Sequence, residues 1–198
     1  MTSQAQDLLS AGFADFPVQS ARAFRILLEA MARPGSLHWL ADARPPAPMS
    51  AAAGTTLLTL ADDTTPVFLC ASVDSPALRG WIAFHIGAPV LAADAPDLSS
   101  ARFAYGPLAE IATYLSRLHP GEPDYPDRSA TVLIEMPALR AEGVRLTGPG
   151  IQAEAYLNLS DPALFQANHA RFPLGFDFYL TCRSQIAGVP RSTNVGER

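Results

Sequence analysis

Lysine is absent from this sequence: all 14 basic residues are arginines. That absence removes whole mechanisms. No internal aldimine with pyridoxal phosphate can form on a side-chain amine. No P-loop lysine is available to hold the phosphates of a nucleotide. Any anion bound here is held by arginine forks, hydroxyls, backbone N–H groups or a partner chain. Cysteine is scarce too. Cys70 and Cys182 stand in separate apolar runs, without the CxxC or Cys/His spacing of a metal centre. They read as buried structural thiols, kept reduced. No apolar run approaches the roughly 20 residues that a spanning helix needs. The first residues show no basic region followed by an apolar stretch, so no signal peptide is expected, and the protein is predicted to be cytoplasmic. A formal net charge of −5 favours neither nucleic acid nor an anionic membrane as partner. No Ser/His/Asp order, metal cluster or complete phosphate loop is found.

What is present is a globular composition. Of 198 residues, 48% are hydrophobic, enough to bury a core. Residues 1–19 are weakly patterned and read as an N-terminal arm; 20–198 read as a single domain. Helix patterns alternate with short strand patterns, which is the grammar of an α/β fold. The expected architecture is three layers, α/β/α, around a mixed sheet of six or seven strands. Helices are predicted over 20–33, 50–61, 76–84, 107–118 and 161–170. In the first, Ser20 is the predicted N-cap, and Phe24, Leu27, Leu28 and Met31 form the predicted buried stripe. The second is apolar on most sides and needs cover, which predicts burial and a surface for self-association.

The stretch 172–195 concentrates the signals. Residues 176–182 and 186–190 read as strands joined by the break 183–185, a hairpin spacing. Asp177 is costly in such a strand unless paired or solvated; it is read as an edge-strand residue facing water. After the rigid Val189-Pro190 come Arg191, Ser192 and Thr193. Such a cluster can hold a phosphate or carboxylate, or be a solvated tail. Other candidates are scattered. Arg25 lies off the apolar stripe of its helix, as a solvated residue or an anion contact. His85 ends a helix, where the dipole favours its charged form, and His169 reads as a capping residue. Gly148 and Gly150 flank Pro149 after a strand, a tight turn that could also cradle a phosphate with its backbone.

Several segments in order resemble one known family: FRILLEAMARPG (24–35), LLTLADDTTPVFL (57–69), FHIGAP (84–89), YPDRSATV (125–132), RLTGPGI (145–151), FPLGFDFYLT (172–181) and VPRSTNV (189–195). The family is PhnH, the H subunit of the bacterial carbon–phosphorus lyase system, and the resemblance covers nearly the whole chain. It implies a role in phosphonate catabolism, within a core complex with the G, I and J subunits. There ATP and an alkylphosphonate are coupled to give ribose 1-phosphonate 5-triphosphate. It also implies a homodimer when isolated, and a fold similar to the large domain of pyridoxal-phosphate-dependent transferases, with no cofactor. Position 86 is Ile where the family commonly has Thr, so an essential hydroxyl beside His85 is not expected. Position 192 is Ser where the family commonly has Thr, which keeps the hydroxyl. On this resemblance the chain is expected to be non-catalytic by itself, with Arg25, His85, Arg191 and Thr193 contacting an anion or partner. The alternatives are a stand-alone transferase binding a phospho-sugar or nucleotide, and a dimeric scaffold without a ligand pocket.

The lysine count gives a direct test. Mixing the purified chain with pyridoxal phosphate and reducing with borohydride is expected to leave no stoichiometric adduct on any side chain, read by intact mass.

Overall fold

The computed structural model describes residues 11–196. In chain order the elements are α1 (Phe16–Ala32), β1 (His38–Trp39), α2 (Ala51–Leu60), β2 (Val67–Leu69), α3 (Pro76–His85), β3 (Val90–Leu91), β4 (Phe103–Pro107) and α4 (Leu108–Tyr114). They continue as β5 (Thr131–Glu135), β6 (Val144–Thr147), β7 (Ala155–Leu157), α5 (Pro162–His169), β8 (Asp177–Cys182), β9 (Gln185–Val189) and β10 (Asn194–Val195). Seven strands form one sheet in the order β1-β9-β8-β5-β4-β2-β3. The run from β8 to β3 is parallel, while β9 joins β8 antiparallel and β1 joins β9 antiparallel. A second, three-stranded sheet has the order β10-β6-β7. The mixed α/β sheet agrees with the expected fold class.

Strand alternation sorts the layers. Tyr105, Leu133, Tyr179 and Gly188 are in register across β4, β5, β8 and β9, and so share a face. The Tyr179 hydroxyl donates to the Leu27 carbonyl at 3.1 Å, which places α1 over that face. On the opposite face Phe178 meets Phe165 of α5 at 5.0 Å between ring centroids, and Phe68 meets Tyr114 of α4 at 4.9 Å. Helices thus cover both faces. Val132, Leu133 and Ile134 of β5 are fully buried, as a parallel strand covered on both sides requires.

The caps explain where the helices begin. Ser50 accepts from the Ala53 N–H and Ser75 from the Leu78 N–H, with Pro76 in the first turn. For α1 the expectation fails. The helix starts at Phe16, and Asp15 caps it by accepting from the Val18 N–H, while Gln19 accepts from the Asp15 N–H. Ser20 therefore lies inside the helix. Of the predicted arm, residues 1–10 lie outside the described residues. Ala11 is buried, and its carbonyl accepts from the Arg44 N–H at 2.9 Å.

The predicted stripe on α1 is also corrected. Ala23, Leu27 and Ala30 are the buried residues, while Phe24 and Leu28 face solvent at 50% and 58% exposure. The reason is distance. The helix lies so close to β9 that a Cβ at Gly188 would come within 2.4 Å of the Ala30 carbonyl oxygen. At that contact the helix presents Ala30, and Phe24 and Leu28 turn outward. Helix α2 is buried along Ala52–Leu58 within its own chain. The cover it needs comes from this chain, not from a second copy. Asp177 is corrected likewise: β8 lies between β5 and β9, inside the sheet and not at its edge.

Gly188→Ala is expected to destabilise the fold by roughly 1–3 kcal/mol or more, because the clash is with helix backbone that cannot rotate away. Urea denaturation measures it, and an unchanged midpoint would contradict the close approach of α1 to β9.

Candidate functional site

Open parallel sheets bind ligands beyond the carboxyl ends of their strands, so that end is built first. The alternation that brings Tyr105, Leu133 and Tyr179 to one face also brings Glu135 and Thr181 there. Glu135 closes β5 after an apolar run, and Thr181 is its register partner on β8. The Tyr105 hydroxyl donates to Glu135 Oε2 at 3.0 Å, and the Thr181 hydroxyl donates to the same oxygen at 3.0 Å. Ser50, the cap of α2, adds hydrogen bonds through its hydroxyl and its backbone. The carboxyl group thus sits at the amino end of α2, where the helix dipole favours negative charge. Burial still wins, and the Glu135 pKa is raised above the usual carboxylate value, with the hydrogen bonds opposing the shift. Burial, and then the adjacent Glu135, raise the Tyr105 phenol as well. This is a hydrogen-bonded acid that can hold or pass a proton, with no activated nucleophile beside it among the described residues. Cys70, just past β2, is held as a thiol, its pKa pushed up by burial to about 12. Cys182 donates to the Pro137 carbonyl at 3.6 Å. Both cysteines are free and buried, as expected.

The sequence-predicted candidates are not gathered here. Arg191 is at the other end of the sheet, against Asp177, the first residue of β8. Its Nε and Nη2 donate to the two carboxylate oxygens at 3.1 and 2.7 Å. Nη1 donates to the Pro126 carbonyl at 2.6 Å and the Pro173 carbonyl at 3.5 Å, and Nη2 donates also to the Ser129 hydroxyl at 2.5 Å. The five N–H groups of a guanidinium all have partners inside the chain. Asp177 further accepts from the Arg191 backbone N–H at 2.9 Å. The pair is a clamp, and it supplies the partner that a carboxylate in this strand demands. Thr193 is buried; among the described residues its hydroxyl has no hydrogen-bond partner.

Arg25 lies on the exposed face of α1 between Phe24 and Leu28. His85 is half-buried at the end of α3, its ring 5.4 Å from Trp81 and 4.9 Å from Phe84, with Gly12 close against it. His169 Nδ1 lies 3.0 Å from the Arg191 carbonyl oxygen. Gly148 and Gly150 both take positive φ, +121° and +81°. A Cβ at Gly150 would lie 2.0 Å from the Ala32 carbonyl oxygen. The turn therefore abuts the carboxyl end of α1, whose dipole repels anions. It packs as a tight turn, and the Arg191 guanidinium is engaged with Asp177. Glu135 was missed by sequence reasoning. Its signal is a carboxylate closing the otherwise apolar run TVLIE.

Removing one partner of a buried pair costs roughly 3–5 kcal/mol. The Asp177 side chain is 33% exposed and that of Arg191 11%, so about 2–3 kcal/mol is expected for Arg191→Ala in urea denaturation. Arg191→Lys keeps a charge but not the fork, and should recover only part of it. For Glu135 the sign follows from the raised pKa. Its protonated form is favoured by folding, so this stability is complete below the ordinary value of 4.5 and is lost as pH rises through the higher folded value. Glu135→Gln is expected to flatten the decline of Tm above that pH; parallel profiles for the two proteins would contradict it.

Three comparisons bear on what this arrangement serves. The family model described as "Bacterial phosphonate metabolism protein (PhnH)" matches residues 11–196. The PhnH subunit of alpha-D-ribose 1-methylphosphonate 5-triphosphate synthase from Rhizobium meliloti (strain 1021) is 37% identical over 202 residues, which is 98% of this chain and 98% of that protein. A protein of Stutzerimonas stutzeri ascribed to a C-P lyase as its subunit HtxG is 38% identical over 82 residues, 38% of this chain and 42% of that one.

Proposed function

This chain belongs to the PhnH family, and we propose that it is a subunit of a phosphonate-activating synthase. The assembly would join an alkylphosphonate to the ribose carbon of ATP, displacing adenine and giving ribose 1-phosphonate 5-triphosphate. The observation that carries this reading is the 37% identity over 98% of both chains to a subunit of such a synthase. The chemistry of the chain supports a role that is not catalytic alone. The Glu135 group is an acid without a nucleophile, and the Cys70 thiol is buried and protonated.

On this reading the partners are the G, I and J subunits of the complex, and the site of action is the cytoplasm. Among the described residues no helix is long and apolar enough to cross a membrane. The isolated chain would form a homodimer. Its best surface for either contact is the outer face of α1, where Phe24 and Leu28 are exposed beside Arg25. An apolar pair flanking a guanidinium suits a partner face that offers aliphatic side chains and a carboxylate.

A strain lacking its own H subunit should regain growth on methylphosphonate when given this chain, and tagged chain from phosphate-starved cells should bring down the G, I and J subunits. The purified chain with ATP and methylphosphonate should release no adenine. Failure to complement, or adenine release by the chain alone, would overturn the reading.

A further inference from the structure

Helices α4 and α5 cover the face of the sheet opposite α1, and a depression of about 160 Å³ lies between them. Asn168 and Phe176 are its buried floor, and Leu115 and Leu164 are its half-buried walls. The exposed lips are Ala112 on α4 and Ala167 on α5, whose small side chains leave the mouth open. The amide in the floor is already spent. Asn168 Oδ1 accepts from the Phe176 N–H at 2.8 Å, and Nδ2 donates to the Phe176 carbonyl at 2.9 Å. To an occupant the depression therefore offers apolar surface and one guanidinium.

That guanidinium belongs to Arg171. Its central carbon lies 6.0 Å over the Phe176 ring, so the charge is held against a wall of the depression. Among the described residues Arg171 has no ion-pair partner, and no carboxylate lines the depression. Contrast Arg79 and Arg191, each of which forks onto a carboxylate of this chain. The next residue, Phe172, is exposed and adds apolar surface beside Arg171.

Volume and charge together choose the occupant. Small-molecule sites begin near roughly 300 Å³, and this space is about half that, the scale of a side chain. An open guanidinium over apolar surface calls for a carboxylate, which it takes as a fork. We propose that the depression docks a segment of a partner protein, an aliphatic side chain entering between Leu115 and Leu164 and a carboxylate meeting Arg171. An anchor in a pocket with a charge pair beside it is the usual form of an interface hot spot. The site is across the sheet from Phe24 and Leu28, so the chain would carry two docking faces that can be engaged together. The inference rests on the subunit reading for its probe and goes beyond it in placing a second docking face.

The test is calorimetric titration of the purified full-length chain with a purified complex of the G, I and J subunits. Ala167→Phe, which fills the depression from its lip, and Arg171→Glu, which reverses the charge, should each weaken binding at least about tenfold. Arg171→Lys should keep part of the affinity, because a point charge still attracts a carboxylate without forking onto it. Arg140→Ala, on another loop, should change nothing. Unchanged thermal unfolding verifies that each variant is folded. Wild-type affinity in both Ala167→Phe and Arg171→Glu would overturn the docking site and leave the subunit reading standing. No binding by the wild-type chain would overturn both. Self-association of the wild-type chain that Ala167→Phe abolishes in sedimentation would make the occupant a second copy, and would overturn the proposal too.

Discussion

Arg191 spends every N–H of its guanidinium inside the chain, and the amino end of the sheet is assembled around that fact. One side chain ties the start of β8 to the chain just beyond β9, to the loop at Pro126 and Ser129, and to Pro173. These segments are far apart in sequence. A buried charge pair adds modestly to net stability, because desolvation offsets most of the attraction. What it enforces is geometry. A slip of β9 or a shift of the 126–129 loop would strand a charge, which costs far more than a lost apolar contact.

A second constraint acts through the absence of atoms. Helix α1 reaches β9 at Gly188 and reaches the 148–150 turn at Gly150, in both places with backbone carbonyl against the space where a side chain would be. The helix makes that contact through the face that carries Ala23, Leu27 and Ala30. The larger residues then have nowhere to go but out. The exposed Phe24 and Leu28 are thus a consequence of internal packing, and their availability to another protein follows from it.

Much of the fold was legible because it is written in local chemistry. Ser50 and Ser75, the latter followed by Pro76, mark helix starts through hydrogen bonds that span three residues. The β-branched run of β5 marks a strand buried on both faces. The misreadings share a physical cause, which is that their partners are remote. Phe24 and Leu28 have ideal periodicity for a core, but the choice of face depended on a glycine more than 150 positions away. Asp177 looked like a solvated edge because its arginine lies 14 residues on, around a hairpin. Glu135 could not be recognised as part of a cluster, since the hydroxyls of Tyr105 and Thr181 are 30 and 46 residues distant and that of Ser50 belongs to another element. Arg191 was singled out as a fork for an external anion or a partner's carboxylate, and its carboxylate here is Asp177. Periodicity does not say that the carboxylate is the chain's own.

Glu135 at the amino end of α2 has one more implication. A phosphate approaching that helix end must displace a carboxylate that is covalently tethered to the position. Tethering gives it an effective concentration that a freely diffusing ion rarely matches. The chain thus carries its own resident competitor at the place where open α/β sheets commonly receive phosphate. Wherever the protonated form of Glu135 gives way to the ionised one, that competition stiffens with like-charge repulsion, and the carboxyl end of the sheet becomes a door bolted from within.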